Sequence, residues 1–195
     1  TNKMAAQSDV FTECVLAVSS GDKAMTAFIE SIGATLMGVK PACLVNVSSP
    51  KCMALCEKHF THPGSLAYAS IKGRERRSQL FIYHIESLEA VLADTETSRY
   101  LMRLGYPAEE SVDVYVDLLA GKLRSGVFPH EIGVFLGYPL KDVCGFMGAS
   151  PIPYRKTMGW KMYGDIRPSE EMYHQFRSAR HYVRDMMRSA CQSTI

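Results

Sequence analysis

The chain lacks the glycine-rich signatures of the two standard nucleotide sites. Neither G-x-G-x-x-G nor G-x-x-x-x-G-K-[ST] occurs among its 195 residues, so a dinucleotide or ATP site of either usual kind is not expected. No C-x-x-C pair is present, which removes the common two-pair zinc shells. Net charge is small, +2, so nothing demands nucleic acid or an anionic membrane as a partner. No uncharged run is long enough for a spanning helix, which needs about 20 apolar residues. The stretch from Val143 to Tyr154, for example, is broken by Pro151 and Pro153. Internal repeats, linkers and low-complexity segments are missing too. The six cysteines are scattered rather than gathered into a framework, which reads as reduced thiols in a cytosolic protein. Asp9 and Glu13 interrupt the apolar part of the N-terminal stretch, so it does not read as a signal peptide.

What is present fits an ordinary folded domain. Apolar residues make up 47% and charged residues 22%, which argues against a largely disordered chain. Residues 1–195 read as a single domain, with 1–21 as a helical extension. A first helix is expected from about Asp9 to Val18. Asp22 is a good N-cap for a second, whose Met25, Phe28, Ile29 and Ile32 recur at core-facing spacing. Ser49-Pro50 starts another. Ser87 caps a further helix, Gly105 closes a short one, and Glu109 to Arg124 is clearly amphipathic. Tyr138-Pro139 begins one more, and the last starts near Pro168-Ser169. Four short runs read as strands: Cys43–Val47, Gln79–His84, Glu131–Gly137 and Gly159–Tyr163. Strands alternating with helices predict an α/β fold, helix-rich, around a small, mainly parallel four-stranded sheet.

Several constellations could carry chemistry. Three proline-started helices (after Ser48-Ser49, at Tyr138, and after Asp165-Ile166-Arg167) offer free N–H groups to an anion, though ordinary caps and turns are the plainer explanation. Phe128 to Phe146 places His130 and Glu131 before an apolar run and Tyr138 and Asp142 after it. Histidine beside glutamate could supply acid–base chemistry. As a strand, however, the run would hold His130 roughly 20 Å from Tyr138, too far for one site. Cys52, Cys56, His59 and His62 fall along one side of a helix and offer thiolate and imidazole to zinc or iron. One straight helix cannot wrap all four around an ion, and core thiols with exposed histidines are the plainer alternative. Basic residues at Lys72, Arg74, Arg76 and Arg77, and His174, Arg177, His181, Arg184 and Arg188 on the last helix, read as solvated faces. On its other side, Met172, Phe176, Ala179, Val183, Met186 and Ala190 form a packing seam.

GATLMGVKPACLVNV, FPHEIGVFLGYPLKDVCGFMG and GWKMYGD, in that order, resemble an uncharacterised family from anaerobic Firmicutes, domain of unknown function 3793. The likeness runs from about Lys23 to Tyr182. Its motif residues here include Lys40, His130, Glu131, Tyr138, Asp142, Trp160 and Lys161. Lys141 stands where the family usually has an acid. The resemblance implies no established reaction. Gene neighbours of members, for ferrous-iron transport and flavodoxin, lean it toward iron or redox physiology.

Three functions follow as expectations. First comes a small-ligand or cofactor-binding protein or enzyme, using those seven motif residues to hold a small anionic ligand. Second is an interaction protein without chemistry, such as a homodimer through the seam of the last helix. Third is iron or other metal handling through Cys52, Cys56, His59, His62 or His130. No particular cofactor is implied, and neither membrane nor nucleic acid is an expected partner.

Overall fold

A computed structural model describes residues 2–18, 22–61, 64–72 and 78–192. Helices α1 (Asn2–Ala17) and α2 (Lys23–Leu36) come first. Asp22 caps α2 as its side chain accepts from the N–H groups of Ala24 and Met25, at 2.9 and 3.1 Å. Strand β1 (Ala42–Val47) then leads through Ser49-Pro50 into α3 (Pro50–His59), and β2 (Leu66–Lys72) and β3 (Ser78–His84) follow. Next come α4 (Ile85–Leu92), α5 (Thr95–Arg103), α6 (Val112–Arg124), α7 (Ile132–Phe135) and α8 (Leu140–Phe146). The chain ends with β4 (Tyr154–Met158), β5 (Trp160–Tyr163) and the long α9 (Arg167–Gln192). The N-cap of α4 is His84, whose Nδ1 accepts from the Ser87 N–H at 3.3 Å. Ser87 instead donates to the Gly38 carbonyl at 2.6 Å.

The expected parallel, four-stranded sheet is not formed. A three-stranded sheet has the order β1-β3-β2, with every pairing antiparallel, and β4 and β5 form a separate antiparallel pair. β1 and β2 do run in the same direction through α3, but β3 lies between them and opposes both. The apolar runs misled for a physical reason. They report burial on both faces, and burial carries no information about strand direction. Alternate side chains of β3 show this. Leu80 and Ile82 enter a core with α1, α2, α3 and the Val183 and Met187 side chains of α9. Phe81 and Tyr83 enter the opposite core, built by α4 to α8.

Two further differences concern single elements. Glu131–Gly137 is not a strand: Ile132–Phe135 is a single helical turn, all four residues buried. β2, by contrast, was invisible in the sequence, because Ala67, Ala69 and Ser70 have weak strand preference and gain their conformation by pairing with β3. The basic stretch 73–77 lies outside the described residues. Among those described, no helix is long and apolar enough to cross a membrane.

A third core cluster joins the β4–β5 pair to α2 and α9, with Trp160, Met162, Phe176, Ala179 and Ala34 packed together. The apolar seam of α9 therefore lies inside the molecule, and its buried C-terminal methionine is Met187 rather than Met186.

Gly137 ties these parts together. Its φ is +77°, and a Cβ there would lie 2.6 Å from Cδ of Pro41, at the start of β1. Gly126 has a similar φ of +86° but open space around it. Gly137→Ala is expected to destabilise by about 2–3 kcal/mol, and Gly126→Ala by about 1 kcal/mol, from left-handed strain alone. Thermal melting checks the ranking; equal losses would remove the Pro41 contact as the cause.

Candidate functional site

The site is organised by one buried carboxylate. Asp142, on the first turn of α8, is 1% exposed. Its Oδ1 accepts from Lys141 Nζ at 2.7 Å and from the Tyr163 backbone N–H at 2.8 Å. Its Oδ2 accepts from Trp160 Nε1 at 2.8 Å and from Ser169 Oγ at 2.6 Å. A carboxylate has about four lone-pair positions, so both oxygens are fully engaged. Lys141 also donates to the Tyr163 carbonyl and to Ser169 Oγ, each at 2.8 Å. Burial alone would raise the Asp142 carboxyl. The hydrogen bonds from Lys141, Ser169, Trp160 and Tyr163 outweigh it and hold the group below the usual aspartate value.

This knot sets the Trp160 indole against Tyr138, the rings stacked 4.5 Å apart at 17°. The stack is a wall between two clefts. On one side lies an apolar cleft of about 400 Å³, lined by Phe128, His130, Tyr138, Phe146, Trp160 and Lys161 among others. His130 is exposed. Its ring sits 5.7 Å from that of Phe128 and 5.1 Å from that of Phe146. Lys161 Nζ lies 5.2 Å over the same Phe146 ring. The helical turn of α7 is what lets His130 and Tyr138 share this cleft. A strand would have kept them apart.

On the other side of the wall, between α2 and α9, is a smaller cleft of about 260 Å³ containing Lys40, Thr35, Tyr173, Arg177 and Arg180. Lys40 Nζ lies 5.5 Å over the Tyr138 ring and 5.6 Å over the Phe176 ring.

A match to the family described as "Protein of unknown function (DUF3793)" covers residues 28–194. The chain belongs to the DUF3793 family. No curated protein and no solved structure matches it. All residues named for the two clefts fall within the matched part of this DUF3793 chain.

Of the seven motif residues singled out in the sequence, His130, Tyr138, Asp142, Trp160 and Lys161 line the apolar cleft, and Lys40 stands behind its wall. Glu131 goes elsewhere. It is 5% exposed, pairs with Lys122 Nζ at 2.6 Å, and accepts from the Tyr106 hydroxyl at 3.2 Å. Its role is to hold α6 against the start of α7. The three proline-started helices do not share a cleft. Ser48 and Ser49 line a depression beside Ala24 and Cys52, while Asp165 and Arg167 pair with each other at 2.6 Å.

The thiol and imidazole candidates are dispersed. Cys52 and Cys56 face the same core as Cys14 and Cys43. Burial raises all four thiols, Cys14 and Cys56 to about 12, so they stay protonated and unreactive at neutral pH. His59 lies 3.5 Å from Glu13, and His62 is outside the described residues. Among the described residues, no group of three His, Cys, Asp or Glu side chains is placed to hold a metal ion.

Sequence reasoning passed over Lys141 as a site residue, and Ser169, Tyr173 and Arg180 as well. A lysine directly beside the motif aspartate was a usable signal for Lys141. The others come from α9, far away in the chain, and only packing brings them in.

A depressed carboxyl contributes stability that is present above its unfolded value near 4 and is lost as pH falls through the lower folded value. Asp142→Asn should therefore destabilise the protein by about 3 kcal/mol at pH 7, because Lys141 is left without its counter-charge. The gap between wild type and variant should narrow below about pH 4. Urea unfolding across pH checks this; a gap independent of pH would show that the charge of Asp142 is not what matters.

Proposed function

We propose that the protein binds a small ligand or cofactor in the apolar cleft, with an aromatic or otherwise flat apolar body facing Tyr138 and Trp160. The observation that carries this is the state of the cleft's aromatic rim. Phe128 and Phe146 are 54% and 45% exposed and flank His130 at its mouth. Large apolar side chains left open around a concavity, with two convergent polar groups, are the usual make-up of a ligand site. His130 and Lys161 would orient the polar end of the ligand. Asp142 is scaffold rather than a catalytic base, since its four acceptor positions are occupied.

The wider setting of this proposal is an enzyme or binding protein of anaerobic metabolism in Firmicutes, in a reducing cytosol that keeps all six cysteines free. A homodimer through the α9 seam has less support, because Phe176, Ala179, Val183 and Met187 are buried within the chain.

Thermal-shift screening with flavins, nucleotides, haem and sugar phosphates, read by intrinsic fluorescence, tests the cleft. A true ligand at about 100 times its Kd adds about 2.7 kcal/mol. That corresponds to a rise of about 5–10 °C for a chain of this size. His130→Ala and Phe146→Ala, both at exposed positions, should remove the rise while leaving the unliganded melting point nearly unchanged. No rise with any compound, or the same rise in both variants, would refute the cleft as the site.

A further inference from the structure

The smaller cleft behind the Tyr138–Trp160 wall holds three cations, Lys40, Arg177 and Arg180. Among the described residues, no carboxylate is paired with any of them. The nearby arginine, Arg184, is by contrast matched with Glu30 at 3.5 Å. The charges acting on Lys40 come from Arg180 and the Cys43 thiol, and burial with the repulsion of Arg180 lowers its affinity for a proton. Its ammonium instead faces two aromatic rings, those of Tyr138 and Phe176. A half-buried ammonium without a counter-ion is costly, and an incoming anion would offset that cost.

A second, independent feature points the same way. Thr35 is 1% exposed and lines this cleft, yet its Oγ1 has no hydrogen-bond partner of normal length, with only the weakly polar Cys43 thiol beside it. Buried hydroxyls are normally satisfied. Four aromatic side chains, Tyr138, Trp160, Tyr173 and Phe176, line the cleft beside the cations.

We propose that this second cleft is an anion site that takes the phosphate group of a small phosphorylated molecule. Lys40 supplies a point charge from the floor, and Arg177 and Arg180 supply forked donors suited to phosphate oxygens. Thr35 Oγ1 can donate to an anion oxygen, and the aromatic walls would receive the organic part. The assignment is independent of the apolar cleft and fails or stands separately from it.

Trp160 is the only tryptophan in the chain and lines the cleft, so its fluorescence reports occupancy. The test titrates inorganic phosphate, phenyl phosphate, phenol and benzoate into the full chain. Saturable responses to phosphate and, more tightly, to phenyl phosphate are expected, with none to phenol. Lys40→Met and Arg180→Gln should each weaken binding about tenfold or more, while His130→Ala leaves it unchanged. Arg180 is exposed, so its variant tests the proposal even if Lys40→Met fails to fold. The proposal is overturned by no saturable response, by equal affinity for benzoate and phenyl phosphate, or by unaltered binding in Arg180→Gln. Binding of a single-stranded oligonucleotide but of none of the small phosphates would also overturn it, and would mark α9 as a nucleic-acid face instead.

Discussion

One carboxylate with four donors holds the wall between the two clefts in place. Asp142 gathers the indole of Trp160, the backbone of Tyr163, the hydroxyl of Ser169 and the ammonium of Lys141. Those groups come from β5, the start of α9 and α8 itself. Apolar packing of Trp160 and Met162 on Phe176 and Ala179 joins β5 to α9, and the hydrogen bonds to Asp142 tie in α8 and fix the orientation of the indole. Transferring a carboxylate from water to a site 1% exposed is expensive. It is tolerated because each oxygen keeps two donors and because Lys141 balances the charge.

The consequence is a rigid aromatic wall. With its N–H held by Asp142, the indole cannot turn, and it stacks on Tyr138 while meeting Tyr173 and Phe176 on its other flanks. Two concavities of different character result. One side presents exposed phenyl rings, an imidazole and an ammonium. The opposite side presents three cations that have no carboxylate partner among the described residues, and the buried Thr35 hydroxyl. An apolar body and an anionic group are the complementary ligand chemistries. The two clefts share one wall, positioned by one buried charge, and are chemically distinct.

The sheet beneath is an inert support, sealed on both faces. Its central strand sends Leu80 and Ile82 one way and Phe81 and Tyr83 the other. Glu131 does similar supporting work at the edge. Its pairing with Lys122 and Tyr106 draws it away from His130, so two adjacent motif residues serve different ends. The buried thiols belong to this support as well, since burial keeps them protonated and inert.

Local chemistry alone settled much of the framework. The Asp22 cap, the Ser49-Pro50 helix start, the amphipathic α6 and the runs that became β1, β3 and β5 are all decided within a few residues, by capping, propensity and periodicity. Most of the site's membership was also visible, as a cluster of polar and aromatic types within Phe128–Lys161. Strand direction was not, because antiparallel and parallel strands buried on both faces have the same composition. Nor was the state of Ile132–Phe135, where all four residues are buried and no polar face exists to reveal a period. That one ambiguity decided whether His130 and Tyr138 could meet. The donors from α9 and the cations beside Lys40 lie far along the chain from their partners. Only the folded packing of α9 on α2 brings them together, since hydrogen bonds and ion pairs act over ångströms in space whatever the separation in sequence.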